Sequence, residues 1–211
     1  NISMALEDLP TDGFIAGLLS DAEKATFRAR DLIRKFITFA PGGSLYKKPV
    51  SAREVMEEAA RLALTGSAIE CRYDFAEDLH PIDADPDLIG KAFYNLIVNA
   101  REAMYDAGAI RIEAENADFE DRRTEPFLQD GGPYVRISIR DQGAGIRSEN
   151  LDRIFDPYFS TKDRGSQKGM GLGLAIAYSI IRKHKGFISV ESQVGTGTVF
   201  NIYIPSCEPL H

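Results

Sequence analysis

The sequence has few cysteines, no long apolar run and no excess of positive charge. Its two cysteines, Cys71 and Cys207, are far apart, which excludes a disulfide framework and a thiolate zinc site and favours a reducing, cytoplasmic setting. The longest apolar stretch, around Leu172 to Ile181, falls short of the roughly 20 residues that span a bilayer, so we expect no membrane contact. A net charge of -7 gives no basic field to attract nucleic acid.

What is present is the composition of an ordinary folded protein. A content of 44% hydrophobic and 27% charged residues over 211 positions excludes wholesale disorder and allows one or two domains. Helical and strand patterns mix irregularly after residue 51, which predicts an α+β fold with helices on one face of a mostly antiparallel sheet. The predicted helices cover residues 51–64, 86–107 and 171–183, and the predicted strands cover 69–75, 82–84, 109–116, 134–141, 186–192 and 198–204.

The first part of the chain carries a heptad pattern. Apolar residues recur at steps of three and four from Ile15 to Phe39, which is typical of a helix that packs along one seam. An ordinary amphipathic helix has this pattern, and so does the second helix of an antiparallel hairpin with residues 8–13 as its turn. Because such a hairpin has too little core alone, we expect homodimerisation through residues 14–39 into a four-helix bundle.

Two asparagines, Asn95 and Asn99, lie one helical turn apart in the predicted helix 86–107 and share a face. Amides compete for backbone hydrogen bonds in a helix interior, so two on one face indicate that this face meets something polar. A solvated polar stripe is the other interpretation. An amide oxygen can complete the octahedral shell of Mg²⁺ without adding charge next to phosphates.

A turn rich in glycine, from Asp141 to Ile146, directly follows a predicted strand. Gly143 and Gly145 permit a close backbone approach to a flat ligand. The Asp141 carboxylate is placed to accept a hydrogen bond from an exocyclic amine such as that of adenine. Plain turn chemistry explains the same residue types.

Three aromatic residues are predicted to anchor the next loop, although a plain core loop explains them equally well: Phe155, Tyr158 and Phe159. Lys162, at the end of this loop, is placed to reach phosphate oxygens. Further glycines, Gly169, Gly171 and Gly173, precede an apolar helix, where free backbone N–H groups and the helix dipole favour an anion. A glycine hinge without a ligand is the alternative.

In order and spacing these motifs resemble the asparagine, first glycine, phenylalanine and second glycine boxes of the ATP-binding catalytic domain of sensor histidine kinases. This family belongs to the wider group of Bergerat-fold ATPases. The resemblance covers roughly residues 51–205 and implies a Bergerat-fold α/β sandwich. The preceding residues 1–43 resemble part of the dimerisation and phosphoacceptor hairpin, as in nitrogen-regulator and hybrid sensor kinases.

The resemblance implies a histidine kinase of a two-component system. Its cofactors are ATP and Mg²⁺, and the γ-phosphoryl group passes to a histidine on the hairpin and then to an aspartate of a response-regulator receiver domain. In such relatives the acceptor histidine lies on the first helix of the hairpin. Residues 1–43 contain no histidine, so we expect the acceptor to lie before a stretch like residues 1–6.

The resemblance also implies how the nucleotide is held. Asp141 recognises the adenine amine, and Gly143 and Gly145 line the base. Asn99 holds Mg²⁺, and Asn95 supports the phosphates.

On the phosphate side, Lys162 is a further contact, and three glycines form the lid and phosphate cradle. The complete set of expected ATP-binding residues is Asn95, Asn99, Asp141, Gly143, Gly145, Ile146, Lys162, Gly169, Gly171, Leu172, Gly173 and Thr198. Thr198 is expected in a strand beside the adenine site.

Two positions separate this chain from related patterns. Many sensor kinases carry a basic residue three positions after the magnesium-binding asparagine, where this chain has Glu102 with Arg101 beside it. ATP-hydrolysing clamps of the same fold, as in gyrase B, MutL and heat-shock chaperones, place a glutamate at the position of Asn95 to activate water. A nucleotide-binding module without turnover is a third alternative.

None of the three histidines is placed as a phosphoacceptor. His80 lies in an acidic extended segment and is expected at the surface. His184 is predicted to be a cation at a helix C-terminus, and His211 is the last residue of the sequence. We therefore expect the chain to bind ATP but neither to phosphorylate itself nor to hydrolyse ATP appreciably.

Overall fold

The computed structural model describes residues 45–105, 107–119, 132–161 and 171–207. Their elements in chain order are β1 (Lys48–Val50), α1 (Ala52–Ala63), β2 (Ala68–Phe75), β3 (Ile82–Ala84), α2 (Pro86–Ala103), β4 (Ala107–Phe119), β5 (Gly132–Arg140), α3 (Ser148–Leu151), α4 (Gly173–Lys183), β6 (Phe187–Gln193) and β7 (Gly197–Pro205). The predicted heptad helix, its hairpin and its dimer seam lie outside the described residues, as do Lys162 and Gly169.

Five strands form one sheet in the order β2-β4-β5-β7-β6. β2 pairs in parallel with β4, and the other three pairings are antiparallel, so the prediction of a mixed, mostly antiparallel sheet is confirmed. β1 and β3 form a separate antiparallel pair. β1 was not predicted, because its sequence, Lys-Pro-Val, contains a proline and only one large apolar residue and so shows no alternating pattern.

One face of the sheet forms the core. Alternate residues of its central strands are buried there: Ile110, Ile112, Ile137, Ile139, Phe200 and Ile202. Each such side chain contributes about 1.5–3 kcal/mol when it is fully buried, and the residues between them, such as Arg111 and Glu113, point to the opposite face. α2 packs between α1 and α4 over the apolar face, which confirms helices on one side of the sheet.

The helices begin where the sequence predicts caps. The backbone N–H of Glu54 donates to Ser51 Oγ at 3.3 Å, and that of Leu88 donates to Asp85 Oδ1 at 3.2 Å. Pro86 occupies the first position of α2, where its missing N–H costs nothing. Both predicted helix starts are therefore confirmed. Separately, no helix among the described residues is long and apolar enough to cross a membrane.

Two predicted helix bounds are wrong. α2 ends at Ala103 rather than at residue 107, because Tyr105 adopts a positive φ of 54° and β4 begins at Ala107. α4 begins at Gly173 rather than at Gly171, whose φ of 63° is incompatible with a right-handed helix. Both breaks lie beside the predicted nucleotide site.

The strands that flank the polar segment are longer than the sequence predicts. β4 and β5 remain paired as far as Phe119 and Gly132, three residues beyond the predicted end of β4 at residue 116. The remaining residues of that segment, 120–131, lie outside the description. The closing hairpin of β6 and β7 agrees with its prediction to within one residue at each end.

Candidate functional site

Asp141 follows β5 directly and is buried, with 3% of its surface exposed. Its Oδ1 accepts hydrogen bonds from the backbone N–H groups of Gly143 at 2.8 Å and Thr198 at 3.2 Å. Burial raises the pKa of the carboxyl group, and these two N–H donors oppose the rise. No hydrogen bond reaches Oδ2 from the residues that the structure describes, so this oxygen is available to a donor on a ligand.

The glycines after Asp141 are required by backbone packing. A Cβ on Gly143 would lie 2.7 Å from the carbonyl oxygen of Ala103, and one on Gly145 would collide with the carbonyl oxygen of Gln193. The N–H of Ala144 donates to the Ala103 carbonyl at 3.1 Å. The turn is thus held between the end of α2 and the hairpin of β6 and β7, which gives the site a fixed wall.

One face of α2 connects this turn to the start of α4. Asn95, Asn99 and Ala103 are spaced by four residues and share that face, which extends about 12 Å along the helix axis. Ala103 contacts the glycine turn, while a Cβ on Gly173 would lie 3.2 Å from Asn95 Oδ1. The structure therefore brings the asparagines, the Asp141 turn and the first residue of α4 together along one face.

The two asparagines differ in their hydrogen bonding. Asn95 Nδ2 donates to the carbonyl oxygen of Lys91 at 2.7 Å, which leaves its Oδ1 facing Gly173. Asn99 is half-buried, and its amide has no hydrogen-bond partner in the described part of the chain. Its oxygen and nitrogen are both available to a ligand.

The start of α4 offers backbone N–H donors. Leu172 is the N-cap residue, and its side chain makes no capping hydrogen bond. The first N–H groups of an α-helix have no intrahelical partners. Just before it, the Gly171 carbonyl accepts a hydrogen bond from Tyr158 at 2.9 Å. A Cβ on Gly171 would lie 2.5 Å from the Phe159 carbonyl oxygen, so the glycine permits this close contact between the two segments.

Thr198 is buried beside Asp141 and belongs to a small hydroxyl network. Its Oγ1 lies 2.9 Å from Ser192 Oγ, which donates to the Gly197 carbonyl at 3.0 Å and accepts from the N–H of Ile146 at 2.8 Å. Sequence reasoning missed Ser192. A single serine in a strand carries no signal of its own, because its partners are decided by how the hairpin packs.

The aromatic loop only partly matches its prediction. Phe155 packs against Tyr178 and Phe200, with ring centroids 5.1 and 6.4 Å apart. Phe159 lies under the guanidinium of Arg153 at 4.7 Å. The prediction that Tyr158 is an anchor is wrong, because 53% of its surface is exposed.

Arg101 follows two residues after Asn99, the expected magnesium ligand, but contacts a neighbouring helix. Its Nη1 donates to the Ala63 carbonyl oxygen at 2.6 Å, at the last residue of α1. A cation there satisfies an open carbonyl and interacts favourably with the helix dipole. Arg101 therefore joins α1 to α2, and Glu102 occupies the position three residues after Asn99.

The prediction that His184 is a cationic helix end is wrong. The side chain is fully buried, and burial lowers its pKa, which favours the neutral imidazole. His80 is half-buried, and its backbone N–H donates to Asn116 Oδ1 at 2.8 Å. His211 lies outside the described residues.

Comparison with known proteins relates this site to nucleotide-using enzymes. A family model described as histidine kinase-, DNA gyrase B-, and HSP90-like ATPase matches residues 84–208. The chain is 35% identical over 181 residues to sensor kinase CckA from Brucella abortus (strain 2308), covering 84% of this chain and 19% of that protein. It is 36% identical over 137 residues to sensor histidine kinase ZraS from Escherichia coli (strain K12), covering 65% of this chain and 26% of ZraS. The chain thus spans about a fifth to a quarter of these curated relatives.

Solved structures show the same architecture. Full-length ShkA in complex with AMPPNP superposes with a TM-score of 0.71 at 21% identity, covering 98% of this chain and 42% of that one. The nucleotide-free catalytic domain of histidine kinase ThkA gives a TM-score of 0.59 at 28% identity, covering 78% of this chain and 97% of that one. The expected Bergerat fold is thereby confirmed. Because the family model spans more than half of the sequence, this chain belongs to the family of histidine kinase-, DNA gyrase B- and HSP90-like ATPases.

Proposed function

We propose that this chain is the ATP-binding part of a histidine protein kinase of a two-component system. It binds Mg-ATP, and a histidine nitrogen on the dimerisation hairpin attacks the γ-phosphorus. The bond to the β,γ-bridging oxygen breaks, ADP leaves, and a response-regulator aspartate later takes the phosphoryl group. This proposal depends on one observation. Asn95, an amide, occupies the position where ATP-hydrolysing clamps of this fold have the glutamate that activates water.

Adenine lies at the Asp141 end of the site. The free Oδ2 of this buried carboxylate accepts a hydrogen bond from the exocyclic amine, and the turn with Gly143 and Gly145 forms the wall beside the base. The supporting observation is that Oδ1 is already held by two backbone donors. The carboxylate is therefore oriented before a ligand arrives.

The phosphates lie toward the other end of the α2 face. Asn99 would supply an amide oxygen to Mg²⁺, and the bound ion would supply positive charge next to the phosphates. The start of α4, where the Leu172 side chain makes no capping hydrogen bond, favours the phosphate anion through the N–H groups of its first turn and its dipole, and Lys162 and Gly169 are proposed as further contacts.

Asn95 favours phosphoryl transfer to a protein acceptor over hydrolysis. An amide cannot accept a proton at neutral pH, so it cannot activate water as a glutamate would. Its Nδ2 is also engaged by the Lys91 carbonyl at 2.7 Å. Sensor kinases among the relatives support the same interpretation.

Incubation with γ-labelled ATP and Mg²⁺ tests this function. We expect no label on the chain alone, because none of its histidines lies in residues 1–43. A separately produced dimerisation bundle with an acceptor histidine should gain acid-labile, base-stable label, provided that the two dock. Such label on this chain alone would contradict the prediction that it lacks an acceptor, and rapid phosphate release abolished by Asn99→Ala would favour a clamp ATPase.

The proposal includes a homodimer through residues 14–39, cytoplasmic localisation and a receiver domain as partner. Charged substitutions at Leu32 and Phe36 would place charge in the heptad seam and should give monomers in sedimentation experiments. A monomeric parent chain would contradict this dimer.

A further inference from the structure

The hydroxyl group of Ser192 connects three segments around the Asp141 turn. Ser192 lies near the end of β6, is half-buried and has hydrogen-bond partners in the turn and in β7. Its Oγ is 2.8 Å from the N–H nitrogen of Ile146, 3.0 Å from the Gly197 carbonyl oxygen and 2.9 Å from Thr198 Oγ1. Three partners saturate one hydroxyl group.

The direction of each hydrogen bond follows from the chemistry of its partner. A carbonyl only accepts and a backbone N–H only donates, so the single proton of Ser192 goes to Gly197 and its oxygen accepts from Ile146. The Thr198 hydroxyl must then donate to Ser192 Oγ. The network has one arrangement of protons, which fixes the side chain of Ser192.

This network continues to the carboxylate of Asp141. The Thr198 N–H donates to Asp141 Oδ1 at 3.2 Å, and the Asp141 N–H donates to the Thr198 carbonyl at 2.9 Å. A Cβ on Gly197 would collide with the Asp141 carbonyl oxygen, so these backbones are in close contact. A shift of residues 197–198 therefore displaces the carboxylate.

We propose that Ser192 is a positioning residue that fixes the Asp141 carboxylate and the turn up to Ile146 for recognition of the 6-amino group of adenine. This inference rests on the proposed function of the site. Ser192 does not touch the base. It acts on the carboxylate through Thr198, and it holds the end of the turn that carries this carboxylate through Ile146.

Calorimetry on the full chain with ATP and with inosine triphosphate tests the proposal. Inosine carries a carbonyl oxygen where adenine carries the amine, so its 6-position cannot donate a hydrogen bond to Asp141. We expect Ser192→Ala to weaken ATP binding about tenfold, equivalent to about 1.4 kcal/mol, and to change inosine triphosphate binding by less than about twofold. Ser192→Thr, which keeps a hydroxyl group, should restore most of the preference for ATP.

Ser189→Ala is the matched control. Ser189 lies on the opposite face of β6, is half-buried and has no hydrogen-bond partner among the described residues. We expect this variant to bind both nucleotides as the parent does. A change equal to that of Ser192→Ala would overturn the proposal.

Three further results would contradict the inference. ATP binding by Ser192→Ala that equals the parent would overturn it, and so would equal weakening for both nucleotides, which indicates a general structural role. If Ser192→Ala does not fold, Ser192→Cys, a close isostere with a weaker donor, gives the same comparison. Failure of the unsubstituted chain to bind ATP would instead contradict the proposed function, and this inference with it.

Discussion

The backbone N–H of Asp85 donates a hydrogen bond to Nε2 of His184 at 3.0 Å. His184 Nδ1 lies 2.8 Å from the Ile180 carbonyl oxygen, so Nδ1 carries the proton and Nε2 accepts. Asp85 also caps α2 through Leu88. The neutral imidazole thus joins the start of α2 to the end of α4, the two helices that border the proposed nucleotide site.

We expect acid to destabilise the fold through His184. Because burial lowers its pKa, the folded state binds a proton more weakly than the unfolded chain does. The contribution of His184 to the free energy of unfolding is fully present above the ordinary histidine pKa of about 6.5. It is lost as the pH falls through the lowered pKa of the folded state. Denaturant unfolding between pH 7.5 and 5 measures this dependence.

His184→Gln provides the comparison for the acid effect, because its side chain stays neutral at every pH tested. Its unfolding free energy should fall less steeply with acid than that of the parent. Equal slopes in both proteins would show that other groups cause the acid sensitivity.

Asp141→Asn should separate binding from stability. We expect ATP binding to weaken by at least about 1.5 kcal/mol, because the acceptor for the adenine amine becomes a donor or turns away. Burial raises the pKa of Asp141 in the folded protein. The protonated carboxyl group therefore adds to the free energy of unfolding below the ordinary aspartate pKa, and this contribution is lost as the pH rises through the raised pKa. At neutral pH the nucleotide-free variant should therefore melt no lower than the parent, and unchanged calorimetric affinity would contradict the adenine assignment.

Asn99→Ala should remove the magnesium dependence of ATP binding. Its amide has no partner in the part of the chain that the structure describes, so the unfolding free energy should change by no more than about 0.5 kcal/mol. ATP titrations in Mg²⁺ and in chelator give the ratio of affinities. The parent ratio should exceed that of the variant, and equal ratios would reject Asn99 as a ligand.

Gly197→Ala and Gly195→Ala form a matched pair at the hairpin turn. Both glycines have positive φ, 128° and 79°, but only a Cβ on Gly197 meets backbone, at Asp141. We expect Gly195→Ala to cost about 1–2 kcal/mol from conformation alone and Gly197→Ala about 2–5 kcal/mol. Denaturant unfolding compares them, and equal costs would contradict the close contact.

Much of this protein is encoded in local sequence. Caps at Ser51 and Asp85, alternation in the strands and the motif order are properties of neighbouring residues, so they predicted the main elements, the sheet class and the family. These interactions join residues that are close in sequence, so they form in the same way whatever the rest of the chain contains. These local patterns failed to predict where two helices end or begin. Tyr105 and Gly171 adopt positive φ angles there, which the order of polar and apolar side chains does not reveal.

Only the tertiary structure decided which distant residues meet. Ser192 reaches Ile146 and Thr198 because two hairpin strands pack against the Asp141 turn. His184 is neutral because β-sheet and helices bury it beside Asp85, whereas its position at a helix end alone predicted a cation. Hydrogen-bond partners and pKa values depend on which groups contact one another in the protein interior, away from water. These contacts form only when residues far apart in the sequence pack together.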